Sequence, residues 1–369
     1  MYGNAKKTTQ LFTLGIILCV TVLCVFGLIT LWSFDFGAGQ DLFAKQLLWI
    51  AAGSGIAFYI ARANLSFLSQ SQIVLWIYFA AILLLLLVLF FGDTIHGSQS
   101  WFNLFGFSLQ PSEFAKIALI LILAKYLSRR HIATHDWKHI FILVFYMIVP
   151  LTLVFLQPDL GSGLVLLGVW LILIFLTGIS RLQFFVFLMA TVASLLILWF
   201  GVLADYQKDR IISFVSPLTD MRGAGYNAYQ SLVAVGSGQT LGKGIAQGSQ
   251  SRLHFLPESE TDFIFASFSE EWGFVGASTV LILFAIFLGL IILLSQLQWG
   301  NFQGLFLLGA AAYFFIHICV NIGMNINLLP ITGIPLPFLS YGGSHILTEF
   351  ITLGIILNFA KNKNIKLVD

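Results

Sequence analysis

Charge is the scarcest property of this chain. Of 369 residues only 18 are Lys or Arg and 16 are Asp or Glu, 9% in all, where a soluble protein carries about a quarter. So few charges cannot cover a water-facing surface, and a formal net charge of +2 offers no basic footprint for nucleic acid. Cysteine is nearly absent: Cys19, Cys24 and Cys319 fall within apolar runs and give neither a disulfide framework nor metal-ligand spacing. There is no Walker G-x-x-x-x-G-K-[ST] and no Rossmann glycine fingerprint in a strand-and-helix setting, so no nucleotide cofactor is indicated. Also missing is any polar linker of the kind that separates soluble domains.

What is present is hydrocarbon: 59% apolar residues, 15% aromatic and a mean hydropathy of +0.94. This is the composition of an integral membrane protein, read as a single transmembrane domain over 1–369. A spanning helix needs about 20 mostly apolar residues. Ten such runs are predicted, at 11–33, 43–61, 73–92, 112–127, 139–156, 161–178, 184–203, 263–295, 303–324 and 341–360, giving an all-α polytopic fold. The run at 263–295 is too long for one straight crossing and is expected to tilt or to extend past the bilayer. The first run follows Lys6 and Lys7, exceeds a signal-peptide core and lacks a clear cleavage site, so it reads as a retained anchor.

Positive residues orient the bundle. With the N-terminus in the cytoplasm, cytoplasmic segments collect Lys6, Lys7, Arg62, Lys125, Arg129, Arg130, Lys138, Arg181, Lys361, Lys363 and Lys366 out of 18 basic residues. Asp136 and Asp369 are the acids on that side. Both termini are therefore expected in the cytoplasm, and one long loop, 204–262 between helices 7 and 8, is expected outside. Its stretch "AYQSLVAVGSG" is amphipathic, with Tyr226, Tyr229, Leu232, Val233 and Val235 able to pack on helix ends. Gly236, Gly238, Gly242, Gly244 and Gly248 follow, around Lys243. Such a run can cradle phosphate through its N–H groups, or simply make tight turns over a packed surface.

Four constellations converge on the outer side under this topology. In "LPESETDFIFASFSEEWGF" (256–274), Glu258, Glu260 and Asp262 abut an apolar run that contains Glu270 and Glu271, and each carboxylate beside lipid costs free energy. In "LQPSEFAK" (109–116), Pro111 suits a first helical position and Glu113 the positive helix terminus. Lys116, three residues on, either pairs with Glu113 on the same face or is a cation kept for an anionic ligand. "QPDLGSG" (157–163) holds Asp159 at a turn, which turn chemistry alone could explain. In "NLLPITGIPLPFLSYGGS" (327–344), three prolines and three glycines break a helix at membrane depth, tolerated only where the backbone is buried in protein or lines a cavity. Together these predict a polar cavity that opens outward.

These motifs, in this order and over essentially the whole chain, resemble the SEDS family of cell-wall polymerases. "DYQKDRIISF" and "GKGIAQGSQSRLHFLPE" are more similar to its elongation-associated branch than to its division branch. The resemblance implies a peptidoglycan glycosyltransferase that polymerises lipid II on the outer face of the bacterial plasma membrane. Implied partners are a class B penicillin-binding protein (the transpeptidase), MreC and MreD. Ser100 departs from the family, standing where many relatives carry Arg. The family's essential acid corresponds to Asp262, implied to be the general base that takes a proton from a sugar 4-hydroxyl. An unperturbed aspartate is a weak base at neutral pH; burial would strengthen it and pairing with Lys116 would weaken it. Lys116, Glu113 and Asp159 are expected to line the same cavity with Ser340; Lys116 either orients Asp262 or neutralises the leaving diphosphate, for which Arg210 and Lys243 are second candidates. A divalent cation, magnesium or manganese, could also offset that charge. Glu258 and Glu260 are read as solvated loop acids, and Glu270 and Glu271 as structural.

Two other classes fit the composition. Many helices, an outward cavity and broken segments also describe a flippase for the lipid-linked precursor, although the charges cluster at one end and no inverted repeat is evident. A non-catalytic scaffold for the transpeptidase would need no Lys116 or Asp159 at membrane depth. A division-type polymerase is the alternative within the family.

Overall fold

The computed structural model describes residues 2–36, 41–70, 72–95, 98–104, 107–128, 136–176, scattered positions from 178 to 208, then 224–252, 255–298 and 302–361. Its helices are α1 (Tyr2–Asp35), α2 (Leu42–Arg62), the short α3 (Ser66–Gln70), α4 (Ile73–Phe91), α5 (Pro111–Leu127), α6 (Trp137–Leu156) and α7 (Leu160–Leu176). After the long loop's α8 (Ala224–Ser237) and α9 (Ser249–Arg252) come α10 (Ile264–Gln296), α11 (Phe302–Asn325) and α12 (Gly343–Lys361). Among the described residues, seven helices are long and apolar enough to cross a membrane, and α7 is a shorter apolar one. The protein is a mostly helical, multi-pass membrane protein. Of the run expected at 184–203, positions 185–187, 189, 193 and 196 are helical and Leu198–Val202 form a π-helical turn; its other positions lie outside the described residues.

The expected helical membrane fold is observed, with one small sheet added to it. Residues 93–109, read as punctuation between two helices, form a small antiparallel sheet, β1 (Asp93–Ile95), β2 (Ser98–Leu104) and β3 (Phe107–Leu109), in that order. Register pairs include Ile95 with Ser98 and Leu104 with Phe107. The backbone here has left the helices, so its N–H and C=O groups pair across strands instead. Ser98 Oγ donates to the Gln157 carbonyl at 2.6 Å, and Ser344 Oγ donates to the Ser108 carbonyl at 2.6 Å. The sheet is thereby tied to the α6–α7 turn and to the start of α12.

Small residues set the helix packing, as they do where lipid gives no hydrophobic drive. A Cβ on Gly354 of α12 would meet the Ala57 backbone of α2 at 2.9 Å, and one on Gly53 of α2 would meet the Phe350 ring at 2.7 Å. At the far end of this pair, Asn358 Nδ2 donates to the Ile60 and Ala63 carbonyls at 2.8 and 2.7 Å. Ile60 lies in the last turn of α2 and Ala63 caps its C-terminus, where helix carbonyls lack full partners within the helix.

The long predicted run is one helix interrupted at Gly273, whose φ of 66° and ψ of −165° are not helical. The glycine-rich loop docks into that interruption. Lys243 and Gly244 N–H donate to the Glu270 and Glu271 carbonyls at 3.0 and 3.1 Å, while Phe274 and Val275 N–H donate to the Gln239 and Thr240 carbonyls at 2.8 and 3.1 Å. Gly242 and Gly273 stand back to back, each occupying space the other's Cβ would need. At Gly238 and Gly242 the observed role is tight turning over a packed surface, with backbone at close approach. Gly273→Ala adds a Cβ where φ is positive and backbone already sits, strain on the order of 1–3 kcal/mol. A lowered unfolding temperature in detergent is the expected result.

The amphipathic helix α8 is present, and Val235 packs as expected on the cluster of Ala234, Leu256, Phe263 and Ala266, but the rest of the expected face is not the buried one. Ala228, Ser231 and Ala234 are buried, while Tyr229 and Leu232 are exposed. The helix approaches through its small residues, with Ser231 Oγ donating to the Asn325 carbonyl at 2.8 Å.

Candidate functional site

Asp262 sits half-buried in the turn that starts α10. The Glu258 carbonyl accepts from the N–H groups of Thr261, Asp262 and Phe263 at 3.3, 3.1 and 3.1 Å, which closes the turn, with Glu258 in the left-handed region at φ 53°. From the other side, the Asp262 carbonyl accepts from Asn321 Nδ2 at 2.9 Å and Asn325 Nδ2 at 3.0 Å. These asparagines lie one helical turn apart on α11 and are both fully buried. Asn321 Nδ2 also donates to the Ile334 carbonyl at 2.8 Å, and Asn325 Oδ1 accepts from Ala266 N–H at 2.9 Å. The Asp262 main chain is thus fixed at its N–H by the Glu258 carbonyl and at its C=O by two buried asparagine amides.

The broken segment 330–342 forms the floor. Ser340 Oγ donates to the Thr261 carbonyl at 2.6 Å and accepts from Leu336 N–H at 2.8 Å; Tyr341 N–H donates to the Glu260 carbonyl at 2.9 Å. Burial, with Glu260 and Asp35 nearby, pushes the Tyr341 phenol up from its ordinary value. Gly333, at φ 71°, lies under the Asp262 carboxylate: a Cβ there would stand 3.4 Å from Oδ2. A Cβ on Gly161 would meet the Thr332 carbonyl at 2.7 Å, so "QPDLGSG" abuts the same floor. Asp159 there accepts from Gln110 Nε2 at 3.0 Å, Ser112 Oγ at 3.4 Å and Ser162 N–H at 2.9 Å. Three separate motifs therefore meet around residues 332–334.

Below this shelf lies a buried ionic network. Lys116 and Glu113, each 2% exposed, pair at 2.7 Å. Lys116 Nζ also lies 3.4 Å from His317 Nε2 and 5.9 Å from the centre of the Tyr313 ring. Glu113 Oε2 faces His345 Nδ1 at 3.3 Å, and His345 Nε2 lies 2.8 Å from Glu349 Oε1, an ion-pair distance but off-axis for a hydrogen bond. Of the four residues expected to line one cavity, Asp159 is half-buried on the shelf, Ser340 is fully buried in the floor, and Lys116 and Glu113 lie in the closed network.

Arg210 lies outside the described residues. Lys243 is engaged on the loop: its ammonium is 2.6 Å from Glu270 Oε1 and 2.9 Å from Ser249 Oγ. Glu270 and Glu271, read as structural, are bonded to the neighbouring loop and to α1. Glu270 Oε1 also accepts from Ser249 and Gln250 N–H at 2.9 and 3.1 Å, and Glu271 Oε1 accepts from Ser33 Oγ at 2.6 Å and Ala246 N–H at 3.1 Å.

With this geometry in view, the family described as "Cell cycle protein", covering FtsW, RodA and SpoVE, matches residues 9–365. The chain belongs to that family. Relatives of the FtsW/RodA/SpoVE family that it resembles include the peptidoglycan glycosyltransferase MrdB of Escherichia coli K12, 34% identical over 345 residues, 93% of this chain and 91% of that protein. Stage V sporulation protein E of Bacillus subtilis strain 168 is 35% identical over 369 residues, 97% of this chain and 99% of that one. Among solved structures, a peptidoglycan synthase complex that coordinates polymerization and crosslinking contains a chain 30% identical, with a TM-score of 0.80 over 94% of this chain and 96% of that one. The rod shape determining protein RodA of Thermus thermophilus is 28% identical with a TM-score of 0.69, over 94% and 95% of the two chains.

Within this FtsW/RodA/SpoVE chain, sequence reasoning located the four motifs but missed the residues that join them. Asn321 and Asn325 in "NIGMN", and His345 and Glu349 in "SHILTE", are polar pairs at i,i+4 spacing in apolar helices. That spacing puts each pair on one helix face, a signal available in the sequence.

Proposed function

We propose that this chain is a peptidoglycan glycosyltransferase that polymerises lipid II into β-1,4 glycan strands during cell elongation, with Asp262 as general base. The observation that carries the reading is the Asp262 carboxylate, half-buried and held on a main chain pinned by Asn321 and Asn325. A positioned base of this kind contributes typically 10²–10⁴-fold to a proton transfer. The proton of a sugar 4-hydroxyl passes to Asp262 as that oxygen bonds to C1 of the second sugar. The C1–O bond to the diphosphate breaks, its electron pair leaves with the diphosphate, and the configuration at C1 inverts.

Gly333 places no side chain against the carboxylate, and Gln110 and Asp159 supply hydrogen-bonding groups on the adjoining shelf. Lys116, one helical turn into α5 from Ser112, is the cation proposed for the leaving diphosphate, with Arg210 second. Lys243 already serves Glu270, which favours a structural role for it. A magnesium or manganese ion is proposed as a companion of the diphosphate. Among the described residues no group of three or more His, Cys, Asp or Glu is arranged to hold a metal, so such an ion would ride on diphosphate oxygens rather than in a protein cage.

The basic residues of the short loops favour both termini in the cytoplasm of a bacterial plasma membrane, with the Asp262 end outward. A class B penicillin-binding protein is the proposed partner, supported by the likeness to a synthase complex that couples polymerization to crosslinking; MreC and MreD are proposed as further members of the assembly. The test is a lipid II polymerisation assay on the purified complex in detergent, with the transpeptidase site blocked. Long glycan strands are expected. Their absence there, with precursor transport in vesicles, would replace this reading with a flippase.

A further inference from the structure

Glu349 takes no part in the chemistry above, yet it is fully buried on α12. Its Oε2 accepts from the Phe338 N–H at 3.0 Å, while Oε1 faces His345, which in turn faces Glu113. Phe338 stands in the left-handed region at φ 62°, a conformation that bulky residues rarely adopt. It is held there by that single side-chain acceptor and by a ring clamped among Phe287, Phe314 and Phe350, with centroids 5.8, 5.5 and 5.8 Å away. Two residues on, Ser340 grips the Thr261 carbonyl, and Tyr341 N–H grips Glu260. The turn at Phe338 therefore determines where the floor takes hold of the chain just ahead of Asp262.

We propose that Glu349 is a positioning residue for the Asp262 loop, acting through the Phe338 turn and the Ser340 hydroxyl. The continuous path Lys116–Glu113–His345–Glu349–Phe338–Ser340–Thr261 makes the buried network and the general-base loop one mechanical unit. The part of this inference that concerns turnover rests on the general-base reading of Asp262; the part that concerns the loop does not.

The experiment compares Glu349→Ala, Glu349→Gln and Ser340→Ala in the full-length protein with its transpeptidase partner. Glutamine keeps a carbonyl to accept from Phe338 N–H and loses the charge; alanine loses both. Hydrogen exchange at residues 258–263 should accelerate on the order of tenfold or more in Glu349→Ala, as expected when an ordering contact is removed, and stay at the wild-type rate in Glu349→Gln. In lipid II polymerisation, Glu349→Ala should lower kcat by roughly tenfold or more, since small misplacements of a catalytic group are costly, with KM changed little; Glu349→Gln should recover most of kcat. Ser340→Ala cuts the same path away from the ions and should reproduce the alanine signature, which keeps the test open if Glu349→Ala does not fold. Unchanged exchange in Ser340→Ala, or identical behaviour of Glu349→Gln and Glu349→Ala, would overturn the proposal. If exchange loosens as expected while Asp262→Asn still polymerises, the positioning of the loop stands and the general-base reading falls.

Discussion

Asp262→Asn should reduce glycan polymerisation by about 10²–10⁴-fold, the range a positioned general base contributes, with little change in unfolding temperature. The asymmetry follows from how the residue is held. Its N–H goes to the Glu258 carbonyl and its C=O to Asn321 and Asn325, contacts that asparagine keeps. The amide is near the same size as the carboxylate, so Gly333 still accommodates it, yet it cannot take up a proton at neutral pH. The measurement is product length and rate from lipid II with the partner present, beside a thermal unfolding curve in the same detergent. A variant that makes long strands at the parent rate removes Asp262 from the chemistry.

The second large effect concerns the buried pair. Glu113→Ala leaves the Lys116 ammonium buried with His317 and the Tyr313 ring, and removing one partner of a buried ion pair costs about 3–5 kcal/mol. Lys116→Met leaves Glu113 facing His345, so its loss should be smaller. The double variant Glu113→Ala, Lys116→Met removes the pair together and should unfold at a higher temperature than Glu113→Ala alone. The double-mutant cycle then separates the two roles that spacing left open. With Lys116 acting on the diphosphate, the double variant regains stability and stays inactive. If turnover returns along with stability, the pair serves only the fold.

Much of the bundle could be read from the sequence because its solvent imposes a simple rule: a crossing helix is a run of apolar residues about 20 long. Runs expected at 43–61, 73–92 and 303–324 are observed as Leu42–Arg62, Ile73–Phe91 and Phe302–Asn325. The sheet at 93–109 escaped because short strands between two long helices leave no strong period. The site was legible in its pieces, since Glu113, Asp159 and Asp262 are charges in a chain with few. How the pieces join was not. That depends on asparagine, serine and histidine, residues whose type says little about where they point, and on tertiary contacts such as Ser340 to Thr261, 79 positions apart in sequence. Lys116 shows the same limit: its i,i+3 spacing to Glu113 allowed a pair, but only the packing of α5, α11 and α12 placed His317 beside it and His345 beside Glu113.

Residues 336–340, which grip the chain just ahead of Asp262, are enclosed almost wholly by protein. Leu336, Phe338, Leu339 and Ser340 are fully buried, α1 presses on the Leu339 backbone so closely that a Cβ on Gly27 would stand 2.6 Å from its carbonyl, and the N–H groups of Leu336, Phe338, Leu339 and Ser340 are bonded within the protein. Helix faces carrying Phe90 and Phe91, 76% and 74% exposed, must instead adapt to whatever surrounds them. Extraction into a micelle should thus disturb the periphery first and the seat of the aspartate last, which makes solubilised enzyme a fair witness for chemistry performed in a bilayer.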